Sequence, residues 1–162
     1  MEKIKVVNLA KWGLPKYETS GSVGMDLRAW VEGEKTKPVS ESFVQSRDGD
    51  TLSVYLRPMG RAMIDTGLCI QLPEGMEAQI RNRSGLTARN GIVAQLGTID
   101  SDYRGHLIIT VINYGTETFK IDDGDRIAQL VFNRIEKVEL EAVNKLDTTE
   151  RGEGGIGHTG KE

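Results

Sequence analysis

Residues 106–114, HLIITVINY, are the densest β-branched stretch of the chain. Isoleucine, valine and threonine fit the pleated surface of a strand better than they fit a short helix. Because few polar residues interrupt it, this stretch predicts a strand that is buried on both faces. We therefore expect the fold to rest on β-structure.

Alternating apolar and polar residues extend the β pattern in both directions along the chain. The alternation is found in residues 51–57, 76–81 and 138–141. A period of two is typical of half-buried strands. Residues 126–135 also fit a helical spacing, but we predict a strand there, while residues 84–89 are long enough for only one or two helical turns.

Turn signals separate these predicted strands. They are Pro73-Glu74-Gly75, Asn90-Gly91, Tyr114-Gly115 and Asp123-Gly124-Asp125. Their spacing of roughly 8–12 residues is typical of a β-sandwich or β-barrel. The sequence therefore predicts an all-β domain.

The length of 162 residues fits one globular domain, which we place at residues 1–143. Residues 32–50 are polar and end in a turn, so we expect a hairpin insertion near residues 37–57 that includes the strand from Thr51. Residues 144–162 carry almost no apolar side chain and cannot form a core of their own. They are expected to be a C-terminal arm that is mobile or is ordered by something else.

Composition excludes several classes of protein. No apolar run approaches the ~18 residues that would span a bilayer, and no signal peptide is evident, so we expect an intracellular, cytoplasmic protein without membrane contact. Lys and Arg number 21 and Asp and Glu number 24, and the net charge of −3 does not favour direct nucleic acid binding. Cys69 is the only cysteine, which excludes an intrachain disulfide and fits a reducing compartment.

Glycine is in excess, at 19 of 162 residues or about 12% against a usual ~7%. Residues 155–160, GIGHTG, match a phosphate-binding G-x-G-x-x-G pattern, but only Lys161 and Glu162 follow where that motif needs a helix. A glycine strip headed by Arg151 still exposes main-chain N–H groups and a permanent charge to an anion. The alternative interpretation is a frayed terminus.

Three internal groups of residues also suggest chemistry. Residues 83–85 (RSG) place a guanidinium, a hydroxyl and main-chain N–H groups where they can meet an anion. Residues 97–105 (GTIDSDYRG) place two carboxylates and a tyrosine before the most apolar strand, and one carboxylate is a reasonable general base. Residues 124–130 (GDRIAQL) present arginine and glutamine beside a buried run. Each group is also compatible with an ordinary polar turn.

Five motifs, in this order, resemble those of the trimeric dUTP pyrophosphatases (dUTPases). They are residues 24–29 (GMDLRA), 83–86 (RSGL), 97–105, 124–129 and 151–160 (RGEGGIGHTG). The resemblance implies a jelly-roll-like β-barrel or sandwich, and a homotrimer whose active sites are shared between chains and closed by the C-terminal arm. It also implies an enzyme, dUTP diphosphatase, that hydrolyses dUTP to dUMP and pyrophosphate with Mg2+. Such an enzyme limits uracil incorporation into DNA and supplies dUMP for thymidylate synthesis.

The resemblance further implies roles for individual residues. Asp100 is expected to activate the water that attacks the α-phosphorus, with Arg151 and Gln129 completing the catalytic set. Asp26 is expected to approach Mg2+, through water. Tyr103 would pack against the deoxyribose, and main-chain groups of a hairpin around residues 94–97 would read uracil. The expected substrate-binding residues are Arg83, Ser84, Gly85, Gln95, Gly97, Thr98, Ile99, Tyr103, Gln129, Arg151, Gly155, Ile156, Gly157 and His158.

The chain departs from the family pattern at a few positions. Ile156 stands where the family usually has a Phe that stacks over uracil, and Asn82 stands where many members have Pro. Two alternative functions therefore stay open beside the active dUTPase. One is a dCTP deaminase or bifunctional relative, although its phosphate loop typically reads Arg-Ser-Ser. The other is a regulatory protein-binding module of the same fold, suggested by Ile156 and the insertion. A viral origin, with the host cytoplasm as the location, also stays open.

Overall fold

The computed structural model describes residues 2–40 and 43–155 of the chain. These residues form β1 (Lys5–Asn8), β2 (Met25–Arg28), β3 (Lys37–Pro38), β4 (Phe43–Asp48), β5 (Thr51–Leu56), β6 (Arg61–Gln71), β7 (Met76–Arg81), α1 (Ser84–Asn90), β8 (Ile92–Ala94), β9 (Gly97–Ile99), β10 (His106–Asn113), β11 (Phe119–Asp122) and β12 (Arg126–Arg134). The expected all-β domain is confirmed, and one short helix lies at residues 84–90.

The strands form three antiparallel sheets. The first has the order β1-β6-β10-β8, with β3 beside β6, and the second has the order β11-β5-β4. The third has the order β2-β12-β7-β9 and contains residues of three of the five motifs, in β2, β9 and β12. Within the described residues, no helix has the length and apolar character needed to cross a membrane.

One hydrophobic core lies between the sheets. It takes fully buried side chains from β2, β5, β6, β10 and β11, among them Leu27, Leu56, Ile64, Ile109 and Ile121. Burying a side chain of this size stabilises the fold by about 1.5–3 kcal/mol. The alternation read in residues 76–81 is confirmed, because Ala78 and Ile80 face this core from β7.

Strand β10 has nearly the predicted bounds but not the predicted burial. Leu107, Ile109 and Val111 are 0% exposed, whereas the residues between them are half-buried. An antiparallel sheet needs only one face against the core. The prediction of burial on both faces is therefore wrong within this chain.

No strand forms at residues 138–141, so that prediction is also wrong. Val138 and Leu140 are 78% and 91% exposed, and residues 135–143 have no regular structure. A strand needs a neighbour to bond its main chain, and the described part of the chain places none beside this segment. An alternating pattern of residues shows which residues could form a strand, but it does not show whether a partner strand is present.

Strands β4 and β5 form a hairpin within residues 37–57. Six residue pairs join the two strands, from Phe43–Leu56 to Asp48–Thr51, and the turn contains Gly49 with a φ of +57°. This positive φ suits glycine, which lacks the Cβ that penalises it. Because β5 also pairs with β11, the hairpin supplies two of the three strands of the second sheet, with β4 at its edge.

Candidate active site

The end of the third sheet brings Asp26 and Gln129 side by side. Residue 129 on β12 pairs with residue 26 on β2 and, on its other side, with Arg81 at the end of β7. Neighbouring strands lie about 4.8 Å apart, so three chain segments converge within a small area. Arg83 follows β7 directly and completes this group. Asp26, Arg83, Arg126 and Gln129 are called the sheet-end cluster below.

Asp26 is held by two arginines. Its Oδ1 lies 3.0 Å from Nε of Arg83, and its Oδ2 lies 3.1 Å from Nη1 of Arg126. The Asp26 side chain is 21% exposed, while Glu18 lies at the rim, 3.9 Å from the same Arg126 nitrogen. A guanidinium has five N–H donors, so each arginine keeps donors for an anion beyond its carboxylate. The cluster can therefore meet a phosphate chain and present one carboxylate beside it.

Main-chain carbonyls fix the orientation of the cluster. Nη1 of Arg83 donates to the carbonyl of Arg126 over 2.9 Å, and Nε2 of Gln129 donates to the carbonyl of Asn82 over 2.7 Å. Asn82 thus enters the site through its main chain, at the position where the sequence departs from the family's Pro. These bonds link the segment after β7 to β12, so the donors are held in place before any ligand arrives.

Gly24 makes room for the Gln129 amide. A Cβ built on Gly24 would lie 3.0 Å from Cδ of Gln129 and nearer still to its Oε1. Real Cβ atoms essentially never approach a heavy atom this closely, so either residue would have to move. The first glycine of the 24–29 motif is thereby tied to the glutamine of the 124–129 motif.

Residues 83–85 begin helix α1. Arg83 is the N-cap residue, and its carbonyl accepts from the N–H groups of Leu86 and Thr87 over 3.0 and 3.2 Å. The Ser84 hydroxyl is exposed, and no side chain caps this end of the helix. The N–H groups of Ser84 and Gly85 come before these bonds, in the first turn of a helix, where main-chain N–H groups have no intrahelical acceptor.

Asp100 lies elsewhere in the chain. Residues 97–99 pair along β7 with Ile80, Gln79 and Ala78. Asp100 follows them and is exposed, in an open groove of about 670 Å³ that also contains Thr98, Asp102 and Arg104. The sheet-end cluster does not border this groove.

The strand register gives the distance between Asp100 and Gln129. Continuing the β7–β9 pairing places Asp100 opposite Glu77, four residues or about 13 Å along β7 from Arg81. Two strand spacings of about 5 Å lie between β9 and β12. The Cα atoms of Asp100 and Gln129 are therefore roughly 16 Å apart, too far for one group on a phosphorus atom to touch both side chains.

Tyr103 is folded back onto the loop that carries Asp100. Its hydroxyl donates to the carbonyl of His106 over 3.0 Å, and its N–H donates to the carbonyl of Asp100 over 3.2 Å. The side chain is 41% exposed and lies over Gly105, where an added Cβ would be 2.7 Å from Cζ of the ring. The ring is therefore exposed to solvent, and its hydrogen bond and its contact with Gly105 hold it in place.

The predicted uracil-reading hairpin is a different structure. Strand β8 pairs with β10 in the first sheet, whereas β9 pairs with β7 in the third. Residues 94–97 therefore cross between two sheets, and the expectation of a hairpin there is wrong. Gln95 is exposed, and its N–H donates to the carbonyl of Thr110 over 2.7 Å.

The described part of the arm holds Arg151 in a local turn. Nε of Arg151 donates to the carbonyl of Gly154 over 2.8 Å, and the Gly154 N–H donates to the Arg151 carbonyl over 3.0 Å. Both Arg151 and Gly155 are exposed. The turn does not bring Arg151 to the sheet-end cluster in this chain, and Ile156, Gly157 and His158 lie outside the described residues.

Arg126 is a site residue that the sequence analysis left out. It was noticed only as a charge beside a buried run, yet its guanidinium contacts Asp26 directly. The available signal was its place in the 124–129 motif, on a strand that pairs with residues 26–28. Strand pairing, which one sequence does not specify, was needed to find it.

The fold and this cluster define an all-β protein that presents arginine, glutamine and one carboxylate to an anionic ligand. A family model described as dUTPase matches residues 51–160. Among curated relatives, the deoxyuridine 5'-triphosphate nucleotidohydrolase of Finegoldia magna is 44% identical over 98% of this chain and 99% of its own. That of Fusobacterium nucleatum is 42% identical over 99% of this chain and 100% of its own. The chain belongs to the dUTPase family.

Solved structures agree on the fold. The dUTPase of Staphylococcus bacteriophage 80alpha, in complex with dUPNHPP, matches with a TM-score of 0.79 at 24% identity and covers 99% of both chains. A mutant dUTPase of phage phi11 of S. aureus, described with a structural Mg(II) ion, matches with a TM-score of 0.71 at 22% identity over 91% of this chain and all of its own. The family model and the curated relatives confirm the expected family and its class of enzyme, and these structures support the expected fold.

Proposed function

We propose that this chain hydrolyses dUTP to dUMP and pyrophosphate, and that its working form is a homotrimer with shared active sites. Water attacks the α-phosphorus. The bond between the α-phosphorus and the oxygen that links it to the β-phosphorus breaks, and pyrophosphate leaves with the electron pair of this bond. Asp100 accepts the proton of the attacking water as a general base. Such a base is typically worth about 10²–10⁴ in rate.

The observation that carries the proposal is the division of the site within one chain. The sheet-end cluster is suited to hold phosphates, while Asp100 lies roughly 16 Å from Gln129 by the strand spacings. A second copy of the chain can supply the Asp100 loop to the first copy's cluster. Closed rotational symmetry then repeats the same junction between all copies.

The phosphate chain would be met by several preorganised donors. We assign this role to Arg83 and Gln129, together with the hydroxyl of Ser84 and the main chain of Gly85. Their existing bonds to Asp26, Arg126 and Asn82 fix their directions. Donors that do not need to reorganise during reaction are usually the largest contribution to transition-state stabilisation.

Residues 144–162 would act as the arm that closes a neighbouring site, leaving residues 1–143 as the β domain. In this role Arg151 would release its exposed hydrogen bond to the Gly154 carbonyl and bind the γ-phosphate instead. Gly155, Ile156, Gly157 and His158 would follow it over the nucleotide, and Gln95, Gly97, Thr98 and Ile99 would face the base. Tyr103 would lie against the deoxyribose and leave no room for a ribose 2′-hydroxyl.

Asp26 is the residue that we propose for Mg2+. Among the described residues, no group of three or more His, Cys, Asp or Glu side chains could hold a metal ion. Mg2+ keeps several waters and is often bound by one or two carboxylates together with substrate phosphates. A single carboxylate beside phosphate-binding arginines fits this pattern, and the bound ion would neutralise charge on the phosphates. An intracellular, cytoplasmic location would supply both Mg2+ and the reducing conditions that suit Cys69.

Complementation between two inactive variants tests the shared site. Arg83→Ala and Asp100→Asn chains are purified separately and also co-expressed as mixed oligomers, and pyrophosphate release is measured with dUTP, UTP, dTTP and dCTP. If each site combines Arg83 of one chain with Asp100 of another, random mixing should restore about one quarter of wild-type dUTP turnover.

The matched control co-expresses Asp100→Asn with the double variant, which cannot form an intact site in any arrangement. Restored turnover in the first mixture and none in the control supports sharing. No recovery in the first mixture would contradict sharing, and wild-type protein that releases no pyrophosphate from dUTP would contradict the activity itself. Formation of a uridine nucleotide from dCTP would instead favour the deaminase alternative.

A further inference from the structure

A buried carboxylate and a histidine lie beneath the Asp100 loop and outside the site described above. Asp65, on β6, is 0% exposed, and its Oδ2 lies 2.9 Å from Nδ1 of His106 at the start of β10. Its other oxygen accepts the N–H of Gly67 over 2.8 Å. Both carboxylate oxygens are thus satisfied, as a buried acid requires.

Asp65 is also anchored through its main chain. Its N–H donates to Oγ1 of Thr36 over 2.9 Å, and its carbonyl accepts the N–H of Trp30 over 2.7 Å. The Thr36 hydroxyl in turn donates to the carbonyl of Trp30 over 2.8 Å. The acid is therefore fixed by the segment at residues 30–36 as well as by its own strand, and it provides His106 with an immobile partner.

His106 connects this anchor to the loop. Its imidazole, 16% exposed, is bound to Asp65, while its main-chain carbonyl accepts the hydroxyl of Tyr103 over 3.0 Å. The pairing of β10 with β6 is irregular between residues 106 and 108, so the regular ladder is interrupted where the histidine sits. The side-chain contact with Asp65 supplies a fixed point at this irregular position.

The position of the Tyr103 ring depends on the main chain just before His106. The ring lies so close to Gly105 that a Cβ there would come within 2.7 Å of Cζ. A shift of residues 105–106 would therefore move the ring, because its hydroxyl bonds residue 106 and the hydroxyl end of the ring lies against residue 105. A continuous series of contacts runs from buried Asp65 through His106 to an exposed aromatic ring.

We infer that Asp65 and His106 are positioning residues that set how closely Tyr103 approaches the nucleotide sugar, and hence how strongly the enzyme prefers dUTP over UTP. The inference rests on the proposed function. Exclusion of a 2′-hydroxyl by a ring face depends on where that face lies, and a misplacement of about 1 Å in a site can cost 10² in rate. A loosened ring would admit ribose while the phosphate contacts stayed intact.

Three variants isolate the contact. His106→Leu removes the donor, whereas His106→Asn keeps an N–H near the position of Nδ1 and is the conservative rescue. Tyr103→Phe keeps the ring but removes the hydroxyl that binds residue 106. Ser53→Ala is the matched control, because its buried hydroxyl binds Asp122 in the second sheet, away from the loop. If His106→Leu does not fold, His106→Gln replaces it, since its amide lies one bond further out.

The measurement is the ratio of kcat/KM for dUTP to that for UTP, with the melting temperature of every variant. We expect His106→Leu and Tyr103→Phe each to lower the ratio about tenfold, and the double variant to lower it no further than the larger single effect. His106→Asn should keep the ratio within about twofold of wild type, and Ser53→Ala should lower only the melting temperature.

A ratio that is unchanged in His106→Leu, or effects of the two substitutions that simply multiply, would overturn the positioning role. Loss of the ratio in Ser53→Ala would also overturn it, because general destabilisation would then explain the result. Wild-type protein that turns over neither nucleotide would overturn the proposed function together with this inference. If the wild-type protein hydrolyses dUTP and the ratio is unchanged in His106→Leu, the proposed function stands and only the positioning role fails.

Discussion

Asp26 is half-buried between two arginines, whereas Asp100 is exposed just after β9, in a loop where no ion pair to its carboxylate is found within the described residues. The first carboxylate is part of an interlocked cluster in which each donor already has a direction. The second stands in an open groove that the cluster does not border. Under the proposed shared site, one half is assembled within the chain and a second copy supplies the other half. We therefore expect that a substitution can slow the chemical step without weakening substrate binding.

The largest effect should come from the exposed half. Asp100→Asn removes the proposed general base but leaves every donor of the sheet-end cluster in place, so kcat should fall about 10²–10⁴-fold. Binding of a non-hydrolysable dUTP analogue, measured by calorimetry, should change little. Asp102→Asn, in the same loop and equally exposed, is the control and should remain active. If Asp102→Asn were the inactive variant, the base would have to be reassigned.

The assembled half should lose binding as well as rate. Arg83→Ala removes a donor to phosphate and leaves Asp26 with only Arg126, so kcat/KM should fall about 100-fold, since hydrogen bonds to charged groups are worth about 1.5–3 kcal/mol each. Arg57→Ala, at an exposed arginine that directly follows β5 of the second sheet, is the control. Steady-state kinetics with dUTP gives both constants. An effect on kcat alone would show that Arg83 is not part of substrate binding.

The arm should contribute less, because its arginine is exposed and locally bonded before it acts. Arg151→Ala, or truncation after Glu150, should lower kcat/KM about tenfold and leave the oligomer intact. Sizing by light scattering together with dUTP turnover checks both points. Dissociation into monomers on truncation would show that residues 151–162 hold the assembly together rather than close the site.

The smallest effect should come from the space behind Gln129. Gly24→Ala forces the glutamine amide away from the Asn82 carbonyl, so KM should rise a few-fold and stability should fall by about 1–3 kcal/mol, as is common for overpacking. Denaturant unfolding and dUTP kinetics measure the two effects. Gly21→Ala is the control, since a Cβ there meets nothing within 4 Å. Equal behaviour of the two variants would remove Gly24 from the site.

The assembled half was also the half that sequence could describe best. The motifs named Asp26, Arg83 and Gln129, the alternation in residues 76–81 predicted β7, and a strand was predicted at residues 126–135 although their spacing also fits a helix. Arg126 was missed because its role depends on the pairing of β12 with β2, which local pattern does not encode. The buried partnership of Asp65 and His106 was missed for the same reason, since the residues lie on different strands.

The exposed half was harder to predict. The family resemblance implied a hairpin around residues 94–97, yet the strands on either side of them pair with strands of different sheets. Residues 138–141 alternate as a strand does, but no neighbour meets them within the described chain. In both cases the missing information is the identity of the partner, which is a property of the tertiary or quaternary structure.

Gly24 and Gly105 have a consequence for how this chain can change by mutation. Each glycine lies against one functional side chain, Gln129 in the first case and Tyr103 in the second, and an added methyl group would occupy the space of that side chain. Position 24 can therefore accept a larger residue only when position 129 becomes smaller or turns away, and the same holds for 105 and 103. We therefore expect the two members of each pair to change together, so that a homologous sequence that loses one of these glycines carries a matching substitution at its partner.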